Sequence, residues 1–204
     1  MSKQFAITGI GTDVGKTVVS SIVAEALSAT YWKPVQAGDV DNSDSIKVSR
    51  YTSNVTVLEE GFKLTEPMSP HAAAEIDGVH IELADLKLPA IESNFIVEGA
   101  GGLMVPLNSE GLTFADAIEA WGLPTIVVSR HYLGSINHSL LTIDVLKARG
   151  VKIAGVIFVG DENKATESII LKHAAVNMIA RIPMAENLDK AFIADQAKKL
   201  SSLL

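Results

Sequence analysis

The chain of 204 residues contains no cysteine, so a disulfide framework, a thiolate metal site and a cysteine nucleophile are all excluded. It also lacks an excess of positive charge. A net charge of −7 disfavours a nucleic-acid or anionic-membrane surface, and neither partner is expected, although a local basic pocket is compatible with that balance. No apolar run approaches the ~18–20 residues that a membrane-crossing helix needs. The first residues enter an apolar strand with no charged leader ahead of them, so a cytoplasmic protein is expected. The five histidines show no ligand spacing, with no i, i+4 pair on a clear helix face, and a zinc or iron site is not expected. His71 stands in the turn-like Ser69-Pro70-His71 and His138 where a helix begins, and each reads first as a satisfied structural residue. Repeats, low-complexity tracts and linkers are also missing, which suggests a single domain over residues 1–204, within the usual ~100–200 residues or so.

What the chain does have is apolar content, 48% of its residues, enough for a sizeable core. Short β-branched runs at 5–8, 31–35, 94–97, 125–129, 153–159 and 177–182 read as strands. Their apolar character is continuous rather than alternating, as in strands buried on both faces of a parallel sheet. Helical patterns at 16–29, 44–51, 113–121, 135–149, 165–173 and 189–203 alternate with them, several opening on cap signals such as Ser43 and Thr113. The last places Phe192, Ala197, Leu200 and Leu203 on one face and mixed charge on the other, a pattern for packing on the sheet rather than on a membrane. Residues 55–89, with three prolines, are the least regular. The expected fold class is α/β, an open, mostly parallel sheet with helices on both faces.

Ligands of such sheets sit beyond the carboxyl ends of the strands. The first of those positions holds Gly9-Ile10-Gly11-Thr12-Asp13-Val14-Gly15-Lys16-Thr17, between a strand and a helix. Backbone N–H groups of such a loop close around a phosphate, and the helix N-terminus adds partial positive charge. Lys16 then reaches the outer phosphates and the Thr17 hydroxyl is placed to ligate Mg2+. The spacing is unusual: five residues separate Gly9 from Gly15, where the common phosphate-loop motif has four.

A second glycine-rich stretch, Val97-Glu98-Gly99-Ala100-Gly101-Gly102, closes another expected strand. Glu98 there is placed to hold Mg2+, and the small residues let backbone approach phosphates. Asp44, after Asn42-Ser43, is a second candidate metal ligand; helix capping or first-turn charge explains it equally well. Lys33, before Pro34, is either a snorkelling edge residue or a second cation beside the phosphate loop that stabilises charge during phosphoryl transfer.

Together with Lys33-Pro34-Val35, Ser69-Pro70-His71, Thr113-Phe114-Ala115-Asp116 and Leu133-Gly134-Ser135-Ile136-Asn137-His138, these blocks resemble, in order, the dethiobiotin synthetases, from residue 5 to about 190. The resemblance includes the five-residue gap. It implies a P-loop NTPase-like sheet, a homodimer with the substrate site at the subunit interface, and an ATP-dependent ligase of biotin biosynthesis. Its substrates would be ATP, CO2 or bicarbonate, and 7,8-diaminopelargonic acid. The implied course is a carbamate, then a carbamic-phosphoric anhydride, then ureido ring closure with release of ADP and phosphate. Carried onto this chain, the resemblance assigns catalysis to Lys33, Lys16 and Thr12, and Mg2+ to Thr17, Asp44 and Glu98. The nucleotide would lie against Asp13, Val14, Gly15, Lys16, Thr17 and Val18. Asp44, Glu98, Gly99, Ala100 and Gly101 would border it further along, with Val159, Gly160, Pro183, Glu186 and Asn187 at the ends of later strands. The diamine would meet Thr12, Lys33, Ala37, Ser135, Ile136 and Asn137.

Three positions depart from the resembled pattern. Ile10 stands for a usual Thr, Ala37 for a Ser or Thr near the substrate, and Val159-Gly160 for an Asn-Asp that reads adenine. The last implies weakened base selectivity. Two rivals share the fold class. An amide-forming ATP-dependent ligase would carry a glutamine-hydrolysing domain with a cysteine, which this chain lacks; a partition or positioning NTPase would carry a lysine early in the phosphate loop, and residues 9–14 have none.

Overall fold

The computed structural model describes residues 2–203. Its centre is a seven-stranded sheet of β1 (Gln4–Gly9), β2 (Thr30–Trp32), β4 (Thr56–Val57), β6 (Phe95–Gly102), β7 (Thr125–Arg130), β8 (Ile153–Val159) and β9 (Met178–Ile182), in the order β4-β2-β6-β1-β7-β8-β9. Neighbouring strands run parallel throughout. The central strands carry fully buried Ile7, Ile96, Val127 and Ile157, each contributing about 1.5–3 kcal/mol through removal from water. That double-sided burial is why their sequences are continuously apolar rather than alternating.

Parallel strands require crossovers, and right-handed crossovers dictate where the helices lie. From β1 the chain moves toward β2 through α1 (Lys16–Leu27) and from β2 toward β4 through α2 (Asp44–Tyr51). From β6 it moves the other way, through α4 (Phe114–Trp121), α5 (Ser135–Ala148) and α6 (Lys164–Ala174). The two groups therefore cover opposite faces. The last helix, α7 (Lys190–Leu200), packs on α1, and α5 packs on α6. Ile193, Ala197 and Leu200 of α7 are buried in the main core with Phe192 packed against it, so the terminal pattern is a packing face. The helix ends at Leu200, however, and Leu203 beyond it is exposed. Among the described residues no helix is long and apolar enough to cross a membrane.

Three elements differ from what the pattern suggests. The run 31–35 is not one strand: β2 ends at Trp32, and β3 (Val35–Ala37) pairs instead with β5 (Phe62–Leu64) in a separate two-stranded sheet. Pro34 has no N–H to continue the ladder, so the chain leaves the main sheet at Lys33. Residues 55–89, which look irregular, contain β4, β5, α3 (Pro70–Ile76) and a 3-10 turn at Leu83–Leu86. These elements are too short to show a period, and Pro70 takes the first-turn position of α3, where its missing N–H is harmless. Finally, β6 runs on through Gly102, with Gly9 opposite Gly102 after a register shift. Glu98 thus stands inside a strand rather than at its end.

Candidate functional site

The carboxyl ends of β1, β2 and β6 meet at one edge, and the residues there form a single cluster. Gly15, at φ 93, lies in the left-handed region and sets the chain into α1. A Cβ at that position would be strained there and would meet the Val159 side chain at 3.3 Å. Lys16 opens the helix, almost fully buried, and its Nζ donates to the Gly11 carbonyl at 2.9 Å, so the side chain folds back over the loop. Burial, followed by repulsion from Lys33, lowers the Lys16 ammonium to a pKa of about 8. A loop at a helix N-terminus with a destabilised cation suits a polyanion, which restores the charge. Thr12 and Asp13 are exposed, Val14 is buried in the core, and Val18 is half-buried in the first turns of α1.

Beside the loop lies a buried charge cluster. Glu98 is 0% exposed. Its Oε1 accepts from the Thr17 hydroxyl at 2.9 Å and from Lys33 Nζ at 3.0 Å, and its Oε2 accepts from the Tyr31 hydroxyl at 2.9 Å. Lys33, itself 2% exposed, also donates to the Gly99 carbonyl at 3.0 Å and pairs with Asp44 Oδ2 at 2.6 Å. Burial opposes the charge on Lys33, but Glu98 and Asp44 outweigh it and hold its pKa above the ordinary lysine value. Burial likewise works against the Asp44 carboxylate, yet Lys33 keeps its pKa below the usual range. Lys33 is therefore not a snorkelling edge residue. The two carboxylates paired with Lys33, and the Thr17 hydroxyl bonded to one of them, are hard oxygen donors of the kind Mg2+ takes, alongside phosphate oxygens and water.

Asp44 is placed by its own element. The Ser43 hydroxyl caps α2 by accepting from the Ile46 N–H and donates to Glu60 at 2.5 Å, while the Asp44 N–H donates to Gln36 Oε1 at 3.1 Å. Gln36 in turn donates to the Gly38 carbonyl at 2.8 Å, which ties the loop after Ala37 to the same corner. Gly38 has φ +68, and a Cβ there would lie 2.4 Å from Pro67 Cα, so this approach needs glycine. Ala37 ends β3, half-buried.

Gly99, Ala100 and Gly101 continue β6 alongside the loop, where Gly102 comes close enough that a Cβ would touch Gly11 Cα at 3.4 Å. Val159 ends β8, with Gly160 following and bonded to Ile182. The Val159 side chain is buried against Gly15 and presents no amide. Pro183, Glu186 and Asn187 lie in the exposed loop after β9. Ser135, buried, opens α5 with Ile136 and Asn137 exposed beside it, and no described contact joins these three to the lysine cluster. His138 bonds through Nδ1 to the Tyr132 hydroxyl at 2.7 Å, and His71 to the Ser69 hydroxyl at 3.0 Å, so both have structural partners.

Four participants carry no motif signal. Tyr31 reads as an ordinary strand residue, Gln36 lies within the strand-end loop from Lys33 to Gly38 without being singled out, and Glu60 lies in the irregular region. Arg130, whose Nη1 donates to the Asp13 carbonyl at 3.2 Å, ends an apolar strand. For Gln36 and Arg130, a place at or just beyond a strand end is the one signal that points toward the site.

A phosphate loop at the start of α1, closed on one side by a buried lysine between two carboxylates, defines a P-loop nucleotide-binding α/β protein. A family model described as an AAA domain matches residues 3–191. Among solved structures, the septum site-determining protein MinD of Pyrococcus horikoshii with Mg-ADP superposes at TM-score 0.58 over 100% of this chain and 97% of that one, at 14% identity. A putative plasmid partition protein of Borrelia burgdorferi bound to AMPPNP superposes at 0.62, covering 99% and 97%, at 13% identity. At that identity the likeness is one of fold. Sequence relatives are much nearer. The ATP-dependent dethiobiotin synthetase of Christiangramia forsetii is 51% identical over 206 aligned positions, covering 100% of this chain and 99% of its own. That of Rhodopseudomonas palustris is 46% identical over 193, covering 94% and 91%. The chain belongs to the dethiobiotin synthetase family and is an ATP-dependent ligase.

Proposed function

We propose that this protein closes the ureido ring of dethiobiotin from 7,8-diaminopelargonic acid and CO2, converting ATP to ADP and phosphate. The observation that carries the proposal is the placement of Lys33. It is a fully buried ammonium, raised in pKa, one strand from the phosphate loop and held by Asp44 and Glu98. In the proposed sequence, one amine of the substrate adds to CO2 and loses a proton, giving a carbamate. A carbamate oxygen then attacks the γ-phosphorus and the bond to ADP breaks. The second amine attacks the carbamoyl carbon, the C–O bond to phosphate breaks, and a proton is released as the ring closes.

Each step develops or relocates negative charge, and the chain's own groups face that charge. The amides of residues 13–17 and the Lys16 ammonium hold the polyphosphate. Lys33, fixed in the charged form, attracts the carbamate and the transferring phosphoryl group, a fixed cation aimed at charge that grows in the transition state. Thr17, Asp44 and Glu98 would hold Mg2+, which neutralises phosphate charge when bound. Thr12 and the loop from Lys33 to Gly38 would border the diamine. The first turn of α5, Ser135 with Ile136 and Asn137, would receive the distal carboxylate of a substrate held by the neighbouring subunit of a homodimer. The nucleotide would run from the phosphate loop past Gly99–Gly101 toward Val159, Gly160 and the loop of Pro183, Glu186 and Asn187. On this reading the chain is a single-domain enzyme of the cytoplasm.

The test is phosphate release from ATP with Mg2+ and bicarbonate, with and without 7,8-diaminopelargonic acid, and the product mass. Diamine-dependent release with a new cyclic urea supports the proposal. Diamine-independent hydrolysis, or none, transfers the weight to a nucleotide-switch NTPase or a ligase with another substrate.

A further inference from the structure

Glu98 is the most enclosed member of the cluster, and its two oxygens are treated differently. Oε1 faces the reacting side, toward Thr17 and Lys33. Oε2 has a single described donor, the hydroxyl of Tyr31 at 2.9 Å. Tyr31 lies in β2, opposite Ile96 of the adjacent β6, two residues before Glu98. Both side chains are buried at 0% exposure, which favours a fixed bond between them. The phenol hydroxyl has one proton, and it is given to Oε2. Its aromatic ring belongs to the main core, packed away from solvent on a sheet strand, which makes it a rigid support.

A carboxylate bound through one oxygen is free to rotate about its terminal torsion, a soft degree of freedom. With Oε2 held by a rigid donor, Oε1 keeps its direction toward Thr17 and Lys33 before any ligand arrives. We infer that Tyr31 is a positioning residue for the metal–nucleotide site, aiming Glu98 Oε1 at the divalent cation that accompanies ATP. The inference rests on the proposed role of Glu98 as a metal ligand. Partners of this kind, one bond removed from the metal, typically change metal affinity by roughly 10–100-fold when removed.

The test uses the full chain with AMPPNP and Mn2+ as probes, reading Mn2+ affinity by electron paramagnetic resonance and, separately, the melting temperature without metal. Glu98→Gln should weaken Mn2+ strongly. Tyr31→Phe, which keeps the ring and removes only the donor, should weaken it by about 10-fold or more. The two changes together should be no worse than Glu98→Gln alone, because an aiming residue has nothing left to aim. Should Tyr31→Phe fail to fold, Tyr31→Met provides a second donor-free side chain for the same comparison. Wild-type Mn2+ affinity in a folded donor-free variant, or an additive loss in the double variant, overturns the positioning role while leaving Glu98 as a ligand. An unchanged affinity in Glu98→Gln overturns the metal role of Glu98 and the Tyr31 inference with it.

Discussion

The Lys33 ammonium lies 2.6 Å from Asp44 Oδ2 and 3.0 Å from Glu98 Oε1, joining the first residue of α2 to the middle of β6 across the end of β2. Two carboxylates in that space are tolerable only because a buried cation lies between them. The same cation is what the proposed chemistry requires. Lys33→Ala should therefore lower kcat by at least ~100-fold, as expected for loss of one charge-stabilising donor. Steady-state phosphate release checks this, and near-wild-type turnover would remove Lys33 from the mechanism. Stability should fall as well, by about 3–5 kcal/mol in urea unfolding without metal, since Glu98 is left buried and short of a partner.

Polyphosphate binding should be proton-linked through Lys16. Its pKa is lowered to about 8 by burial and by Lys33, so the free protein progressively loses that proton as the pH rises through that value. A bound polyphosphate favours the charged form, so binding near pH 9 should take up close to one proton, and affinity should fall by up to about tenfold per pH unit above 8. Calorimetry in buffers of different ionisation enthalpy measures the uptake directly. No uptake at pH 9 would show that Lys16 is not the group that meets the phosphates.

Base selectivity should be weak. The side chain at the end of β8, where the sequence resemblance places a base-reading amide, is Val159, packed on Gly15. Sites built to hydrogen-bond a ligand reject analogues by large factors, and sites without such groups do not. GTP and CTP should each compete, with ATP preferred by less than about hundredfold in kcat/KM. Initial rates with each nucleotide decide it, and a larger ATP preference would mean that other groups read the base.

Away from the site, the buried carboxylate of Glu167 anchors Arg181 of β9, with Oε2 accepting at 2.6 Å and Oε1 at 2.8 Å. Hydrogen bonds from Arg181, opposed by burial and helped by His131, lower its pKa from 4.5 to about 2. A depressed carboxylate stabilises the fold fully above its unfolded value and loses that contribution as pH falls toward the folded one. Acid unfolding should thus gain a component between about pH 4.5 and 2 that is missing in Arg181→Met. At neutral pH that variant should lose about 1.5–3 kcal/mol, the range for hydrogen bonds to a charged group. A urea midpoint equal to wild type would show that the pair contributes nothing net.

The amino-acid order alone determined what is local. Continuous apolar runs specify buried parallel strands because both faces are covered, and Gly15-Lys16-Thr17 after such a run specifies a phosphate loop because only that backbone path presents its amides. The ordered blocks from Gly9 to His138 were likewise enough to point to the family. What is not local needed the tertiary structure. Glu98 lies far in sequence from Lys33 and Asp44, and nothing in the spacing says that one ammonium bridges both carboxylates; the order β2-β6-β1 does that by setting β6 beside the end of β2. The break at Pro34, the short elements within 55–89 and the extension of β6 through Gly102 were decided by pairing partners, which a period cannot reveal in elements this short. Tyr31 shows the difference most clearly. In sequence it is one aromatic in a strand, and only the neighbouring strand gives its hydroxyl a buried carboxylate to hold.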